Sequence, residues 1–194
     1  MILKICGITN QEDANAAVEG GANAIGFNFY RPSPRYLAPE RAAGIVSAPG
    51  VRRVGVFVDE ARELVEEIAR IAALDVAQLH GDETPADYPA SLAVWKAVRV
   101  GEVLDLSRWR DCPAEALLLD GPASGSTFDW RLAAPARKPV ILAGGLDASN
   151  VAEAVALAHP WGVDACSRIE SAPGRKDHRK MNQFLEAAKA ALGR

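Results

Sequence analysis

The chain has 194 residues, 49% hydrophobic and 24% charged, with a formal net charge of -3. That length supports one good hydrophobic core and is marginal for two domains. The slight acidic balance excludes the basic excess of a nucleic-acid binder, so an anionic substrate has to be met by local groups rather than by the overall field. The three cysteines, Cys6, Cys112 and Cys166, are widely spaced and form no CxxC. This argues against a disulfide framework and a zinc site, and fits a reducing, cytoplasmic setting. The opening run from Ile2 to Ile5, interrupted by Lys4, lacks the apolar core and cleavage site of a signal peptide. No stretch approaches the ~20 apolar residues of a membrane span.

In chain order, the predicted strands are Leu3–Cys6, Ala24–Phe29, Arg53–Val58, Val76–Leu79, Val94–Val98, Ala116–Asp120, Val140–Ala143 and Gly162–Cys166. These eight runs recur about every 24 residues, close to the minimum for a strand–helix unit. Asn10 followed by Asp13 marks a helix start after the first strand, and Ser149–Asn150 marks another before Val151. The segment from Ala61 to Ala73 has the clearest helical spacing, with Leu64, Val65, Ile68, Ile71 and Ala72 on one face. Glu102 to Trp109 and the stretch after Phe128 are weakly patterned.

Strands alternating with helices imply parallel pairing buried on both faces. A doubly wound open sheet and a closed (β/α)8 barrel both satisfy this. Eight strands favour the barrel, and a chain shorter than the usual ~250 residues means short loops. No linker, low-complexity tract or charge block interrupts it, so residues 1–194 are read as a single (β/α)8 (TIM) barrel domain of the α/β class.

In such a barrel the reactive groups stand at the C-terminal ends of the strands. The polar residues there are Cys6, Asn28, Asp59, Gln78 with His80, Arg99, Asp120, Gly144–Gly145 and Ser167. Cys6 is followed by Gly7, which permits a sharp turn. Its thiol is either a small buried apolar group or, with positive charge nearby, a base. Asp120 ends the apolar run Leu117–Leu118–Leu119, where desolvation favours a proton donor; the plainer reading is a turn cap before Gly121–Pro122. Gly144–Gly145 allows backbone N–H groups to approach a phosphate, and the helix opening at Ser149–Asn150 favours anions. Arg31 and Arg35 lie in a Pro-rich loop with Tyr36 and are either solvated charges or a bidentate grip for a carboxylate. His159 and His178 read as surface residues. With no HExxH and no His/Asp cluster, no metal is expected, and no dinucleotide fingerprint or P-loop occurs.

Taken together, these motifs resemble the phosphoribosylanthranilate isomerase family. The resemblance is carried by Lys4–Ile5–Cys6–Gly7, Gly26–Phe27–Asn28–Phe29–Tyr30, Ser33–Pro34–Arg35–Tyr36 and Gly55–Val56–Phe57. It continues through Gln78–Leu79–His80–Gly81–Asp82–Glu83, Phe128–Asp129–Trp130, Leu142–Ala143–Gly144–Gly145–Leu146 and Gly162–Val163–Asp164. It implies a (β/α)8 fold, no cofactor, a small phosphosugar substrate and an Amadori rearrangement in tryptophan biosynthesis. By the match, Asp120 is the general acid, Cys6 the general base and Arg35 the ligand of the anthranilate carboxylate. Gly144, Gly145, Cys166, Ser167 and Arg168 fall where the family holds phosphate, mainly through backbone N–H groups.

Two departures stand out. The family commonly reads Ser–Ser–Gly where this chain has Cys166–Ser167–Arg168, and the loop Gly121 to Thr127 is short. A side chain at the glycine position either blocks a required backbone angle or adds charge to the phosphate, and the sequence leaves both open. Two other functions compete: the related isomerase of histidine biosynthesis, which resembles a barrel with Asp in place of Cys6, and a non-catalytic phosphate-binding barrel.

Overall fold

Each β-rich run pairs in parallel with the next, and the last returns to the first. The computed structural model describes residues 1–193. Its strands are β1 (Ile2–Ile5), β2 (Ala24–Asn28), β3 (Arg52–Phe57), β4 (Val76–Leu79), β5 (Ala93–Arg99), β6 (Ala116–Asp120), β7 (Val140–Leu142) and β8 (Gly162–Ala165). β8 pairs with β1, Ile2 opposite Gly162 and Ile5 opposite Ala165, which closes the barrel. Every predicted strand lies within one residue of an observed one at both ends.

The helices are α1 (Gln11–Glu19), α2 (Pro39–Ala43), α3 (Arg62–Ala72), α4 (Val151–Ala158) and α5 (His178–Leu192). Three connections, β4 to β5, β5 to β6 and β6 to β7, carry only 3₁₀ turns at Pro85–Asp87, Leu106–Trp109 and Trp130–Ala133. The last two of these are the weakly patterned stretches; the β4–β5 connection carries no such sign in the sequence. Asp105 and Asp129 each accept a hydrogen bond from the amide two residues on, which favours a tight turn over a helix. The barrel is therefore fully stranded but incompletely jacketed.

Asn10 caps α1 as expected, accepting from Asp13 N at 2.8 Å. Asn150 stands at the start of α4 but does not cap it. Its amide turns back instead, accepting from Asp147 N and donating to Gly145 O. On α3 the buried face is Val65, Ile68, Ala69 and Ala72, while Leu64 is exposed and Ile71 half-buried. The buried stripe follows a three- and four-residue spacing through Ala69, because alanine, a weak apolar marker in sequence, packs as well as larger residues against the barrel. His159 is exposed, but His178 is half-buried and pairs with buried Asp13 at 2.8 Å, so it is no free surface residue. No helix among the described residues is long and apolar enough to cross a membrane.

The period of two along each strand sorts residues into layers inside the barrel. At the base, Ile2, Ala24, Val54, Val76, Trp95, Ala116 and Ile141 pack together, apart from the larger apolar layer between strands and helices. One repeat higher come Lys4, Gly26, Val56, Gln78, Ala97, Leu118, Ala143 and Asp164. One repeat higher again, at the mouth, stand Cys6, Asn28, Val58, His80, Arg99, Asp120, Gly145 and Cys166. The apolar base is a packed floor, and polar groups begin only above it. After β8 a short antiparallel ribbon, β9 (Glu170–Ala172) with β10 (Arg175–Lys176), folds back and returns Glu170 and Lys176 to the same mouth.

Candidate active site

A cavity of about 530 Å³ opens at the C-terminal ends of the strands. Cys6, Asn28, Arg35, Gln78, His80, Arg99, Asp120, Gly144, Gly145, Asp164, Cys166, Ser167 and Arg168 all line it. It contains every site residue assigned from the sequence. Asp59 alone among the flagged strand-end groups lies elsewhere. Its backbone has φ 50°, and its carboxylate accepts from Asp82 N, so it shapes a loop.

Cys6 sits just past the end of β1. Gly7, at φ 74°, turns the chain away behind it. Beneath the thiol, buried Lys4 pairs with Asp164 on the neighbouring strand, Nζ to Oδ2 at 2.7 Å. Burial works against the Lys4 ammonium, but Asp164 and the Cys6 sulfur more than offset it and keep the lysine protonated. Cys6 in turn has its pKa drawn well below the ordinary thiol value. The largest cause is a hydrogen bond from the Cys166 thiol; burial opposes it, and Lys4 and Lys176 reinforce it.

Asp120 stands across the mouth at the end of β6, two strands from β8. One carboxylate oxygen accepts from Gly121 N at 2.9 Å, and the other faces His80 Nε2 at 3.2 Å. The carboxyl is not sealed in by its apolar strand: its side chain is 27% exposed at the cavity wall. The run Leu117–Leu118–Leu119 predicts desolvation, but those residues lie below the carboxyl, while the last residue of the strand reaches the opening. His80 is held by Gln78, whose amide lies 3.3 Å from Nδ1. The run that follows His80 has a mechanical purpose. The Glu83 carboxylate accepts from Asp59 N, from Gly81 N and from buried Lys96 at 2.7 Å, which pins the loop carrying His80.

Arg35 makes the bidentate grip expected of it, but on a carboxylate of the protein. Its Nε and Nη2 donate to Glu170 at 2.9 and 2.7 Å. Nη1 makes no hydrogen bond to the described residues. Lys176 Nζ also reaches Glu170, at 2.9 Å. Burial works against the Glu170 carboxylate, yet Arg35 and Lys176 outweigh it and hold its pKa below the usual range. Nearby, Arg31 stacks over Tyr36 with 5.7 Å from guanidinium carbon to ring centre, and an Asn28–Tyr36 bridge orders the loop.

The remaining wall is made of backbone. Gly144 and Gly145 have φ 76° and 61°, which glycine alone adopts without strain. A Cβ on Gly145 would stand 2.7 Å from Gly125 O, so the loop from Gly121 to Thr127 packs directly against the paired glycines. The amides of Gly144, Gly145, Ser167 and Arg168 donate to no other group among the described residues, the last two because they open a 3₁₀ turn at Ser167–Ile169. Four amides without a protein acceptor thus lie along one part of the cavity wall. Arg168 does not occupy the left-handed region, so its side chain blocks no required backbone angle. Its guanidinium reaches Gly125 O at 3.2 Å and Asp147 Oδ2 at 3.3 Å, which straps the short loop to the turn after β7. The Cys166 side chain, by contrast, turns toward Cys6 and Lys176.

Sequence reasoning missed Asp164, Glu170 and Lys176 as parts of the site. One signal was available: Lys4 interrupts an apolar strand at an inward position, which demands a buried partner. Among the described residues no group of three His, Cys, Asp or Glu side chains is placed to hold a metal.

A closed parallel barrel with a carboxyl, a thiol and unpaired backbone amides gathered in one cavity at its strand ends defines a (β/α)8-barrel enzyme. The family model for N-(5'-phosphoribosyl)anthranilate (PRA) isomerase matches residues 3–187. The N-(5'-phosphoribosyl)anthranilate isomerase of Solibacter usitatus is 66% identical over 199 aligned positions that cover 100% of both chains. Among solved structures, the phosphoribosyl anthranilate isomerase of Thermus thermophilus superposes with a TM-score of 0.92 at 40% identity, covering 98% of this chain and 99% of that one. A phosphoribosyl anthranilate isomerase in complex with reduced 1-(o-carboxyphenylamino)-1-deoxyribulose 5-phosphate superposes at 0.88, also 40% identical, covering 98% of this chain and 100% of that one. The chain belongs to the phosphoribosylanthranilate isomerase family, and it is an isomerase of tryptophan biosynthesis with that family's barrel fold.

Proposed function

We propose that residues 1–194 form one catalytic unit that converts N-(5-phosphoribosyl)anthranilate to 1-(2-carboxyphenylamino)-1-deoxyribulose 5-phosphate, with Asp120 as general acid and Cys6 as general base. The observation that carries this reading is that one cavity is lined by both groups and by the unpaired amides, which make an anion seat. Asp120 donates a proton to the ribose ring oxygen, and the ring opens to a Schiff base. The iminium acidifies the neighbouring C2–H, so a base as modest as a thiolate removes that proton. The enolamine then collapses to the ketone. Acid and base stand on well-separated strands, so they flank the sugar from two sides. The free Nη1 edge of Arg35 takes the anthranilate carboxylate. The amides of Gly144, Gly145, Ser167 and Arg168 take the phosphate, with the Arg168 guanidinium at the rim. Cys166 is part of the same wall but acts through Cys6. The chemistry needs no cofactor, and three free thiols fit a cytoplasmic setting.

The direct test is a fluorescence assay with purified protein and freshly formed phosphoribosylanthranilate. Loss of the anthranilate adduct at an enzymic rate is expected, and no loss above the uncatalysed rate would overturn the assignment. The same protein given the aminoimidazole precursor of histidine biosynthesis is expected to leave it unchanged, because the barrel presents a cysteine at the base position.

Two further results are expected. Gly145→Ala places a Cβ against Gly125 O at a positive φ, so KM rises about tenfold or more, from strain of roughly 1–2 kcal/mol at the seat. Substrate titrations at fixed enzyme check this. In the pH profile of kcat/KM, activity appears as Cys6 loses its proton. The depressed thiol pKa therefore places the acid limb well below the ordinary thiol value, with activity lost as pH falls through it. Cys166→Ala removes the main hydrogen-bond donor and moves that limb to higher pH.

A further inference from the structure

Cys6 and Cys166 leave adjacent strands at the same height. Ile5 lies opposite Ala165 in the β1–β8 ladder, and Cys6 N donates to Ala165 O at 2.9 Å, so the two cysteines are the next residues outward on neighbouring strands. Such strands run ~4.7–4.9 Å apart, within the ~4.4–6.8 Å between Cα atoms that a disulfide spans. Both residues have left regular strand geometry, Cys166 at φ -139° and ψ -89°, and Cys6 with Gly7 at φ 74° behind it. The Cys166 sulfur lies 3.0 Å from where a Cβ on Gly7 would stand, close over the Cys6–Gly7 backbone. Both thiols are free, and both line the open cavity, where a small oxidant can reach them. The third thiol, Cys112, is buried elsewhere, with its sulfur 3.2 Å from the Tyr88 hydroxyl.

The two sulfurs are also chemically unequal. Cys6 is biased to the thiolate, whereas its hydrogen bond to Cys6 and its own burial keep Cys166 protonated. Lys176 Nζ stands 3.8 Å from the Cys166 sulfur, ready to stabilise it when it loses its proton. One nucleophilic sulfur beside one resolving sulfur is the requirement for controlled oxidation.

We propose that Cys6 and Cys166 form a reversible disulfide in response to hydroperoxides, and that this bond switches turnover off. The Cys6 thiolate attacks the terminal peroxide oxygen and the O–O bond breaks; Cys6 becomes a sulfenic acid, and the alkoxide or hydroxide takes from solvent the proton that Cys6 gave up on ionising and leaves as alcohol or water. The Cys166 sulfur then attacks the Cys6 sulfur. The S–S bond forms, the S–O bond breaks, and the departing hydroxide takes the Cys166 proton to leave as water. Two thiols lose two electrons and two protons, and the hydroperoxide is reduced to an alcohol and water. The effect on turnover rests on Cys6 being the base, as proposed above.

The experiment treats the full chain with hydrogen peroxide or tert-butyl hydroperoxide, then maps peptides without reduction and measures turnover before and after dithiothreitol. A linked Cys6–Cys166 peptide pair is expected, with turnover falling in proportion to the linked fraction and returning on reduction. In Cys166→Ser, measured against its own reduced activity, the sulfenic acid goes unresolved, passes to sulfinic acid, and recovery is lost. Cys112→Ser behaves as the unsubstituted chain does. Cys6 found as sulfinic acid while Cys166 remains alkylatable overturns the proposal, as does a link to Cys112. Linkage with turnover intact overturns both the switch and the role of Cys6. Absence of linkage, with turnover still lost in a Cys6 variant, overturns the switch alone.

Discussion

Cys6→Ser lowers kcat by about 10²–10⁴-fold, the range for removing a positioned base, while the folded state and product affinity change little. Serine matches the thiol in size and keeps the cross-strand contacts of β1. It differs in acidity: the Cys166 thiol, Lys4 and Lys176 draw the pKa of a thiol well below its ordinary value, but they cannot bring an alcohol into the same range. The measurement is steady-state turnover beside a thermal unfolding curve. A loss of activity without a shift in the midpoint isolates the chemical role. Full activity in this variant removes the base assignment.

Asp120→Asn lowers kcat by a similar factor, about 10²–10⁴, for the opposite reason. The amide keeps the contact with Gly121 N and remains within reach of His80, so the mouth keeps its shape. It has no proton acidic enough to transfer to a ring oxygen. Ring opening then becomes the slow step, and a substrate already opened to the Schiff base would bypass the defect. Single-turnover kinetics distinguish this variant from Cys6→Ser. Asp120→Asn stalls with the ring closed, while Cys6→Ser accumulates the opened species. Equal partitioning in both variants would mean that the two groups do not act in separate steps.

The strands were legible because most are short apolar runs bounded by polar residues or glycine, and parallel strands buried on both faces leave that mark. Two of the three missing helices were also legible, in reverse, as the stretches Glu102 to Trp109 and after Phe128 that lack helical spacing; the β4–β5 connection was not. The mouth followed from topology, since the last inward residue of each strand has one place to go. The pairings across the mouth were not legible. Arg35 and Glu170 are separated by 135 residues, and Lys4 and Asp164 by 160, so no local pattern marks them as partners. Arg168 shows the same limit. Its sequence position raised the question of backbone strain, but only the dihedral angle and the contacts to Gly125 and Asp147 answer it.

Closure of β8 onto β1 has a consequence for how the molecule is made. β1 carries a buried lysine whose carboxylate partner, Asp164, lies 160 residues further along the chain. Until β8 is made the growing polypeptide exposes two unpaired edges, a configuration prone to sticking to other chains. Contacts of such long sequence separation also form slowly. A nascent fragment ending before β8 is thus a gapped staves-and-hoops assembly with an uncompensated cation at the gap, and a candidate client for chaperones during translation. Catalysis and mechanical completion of the cylinder arrive in the same event.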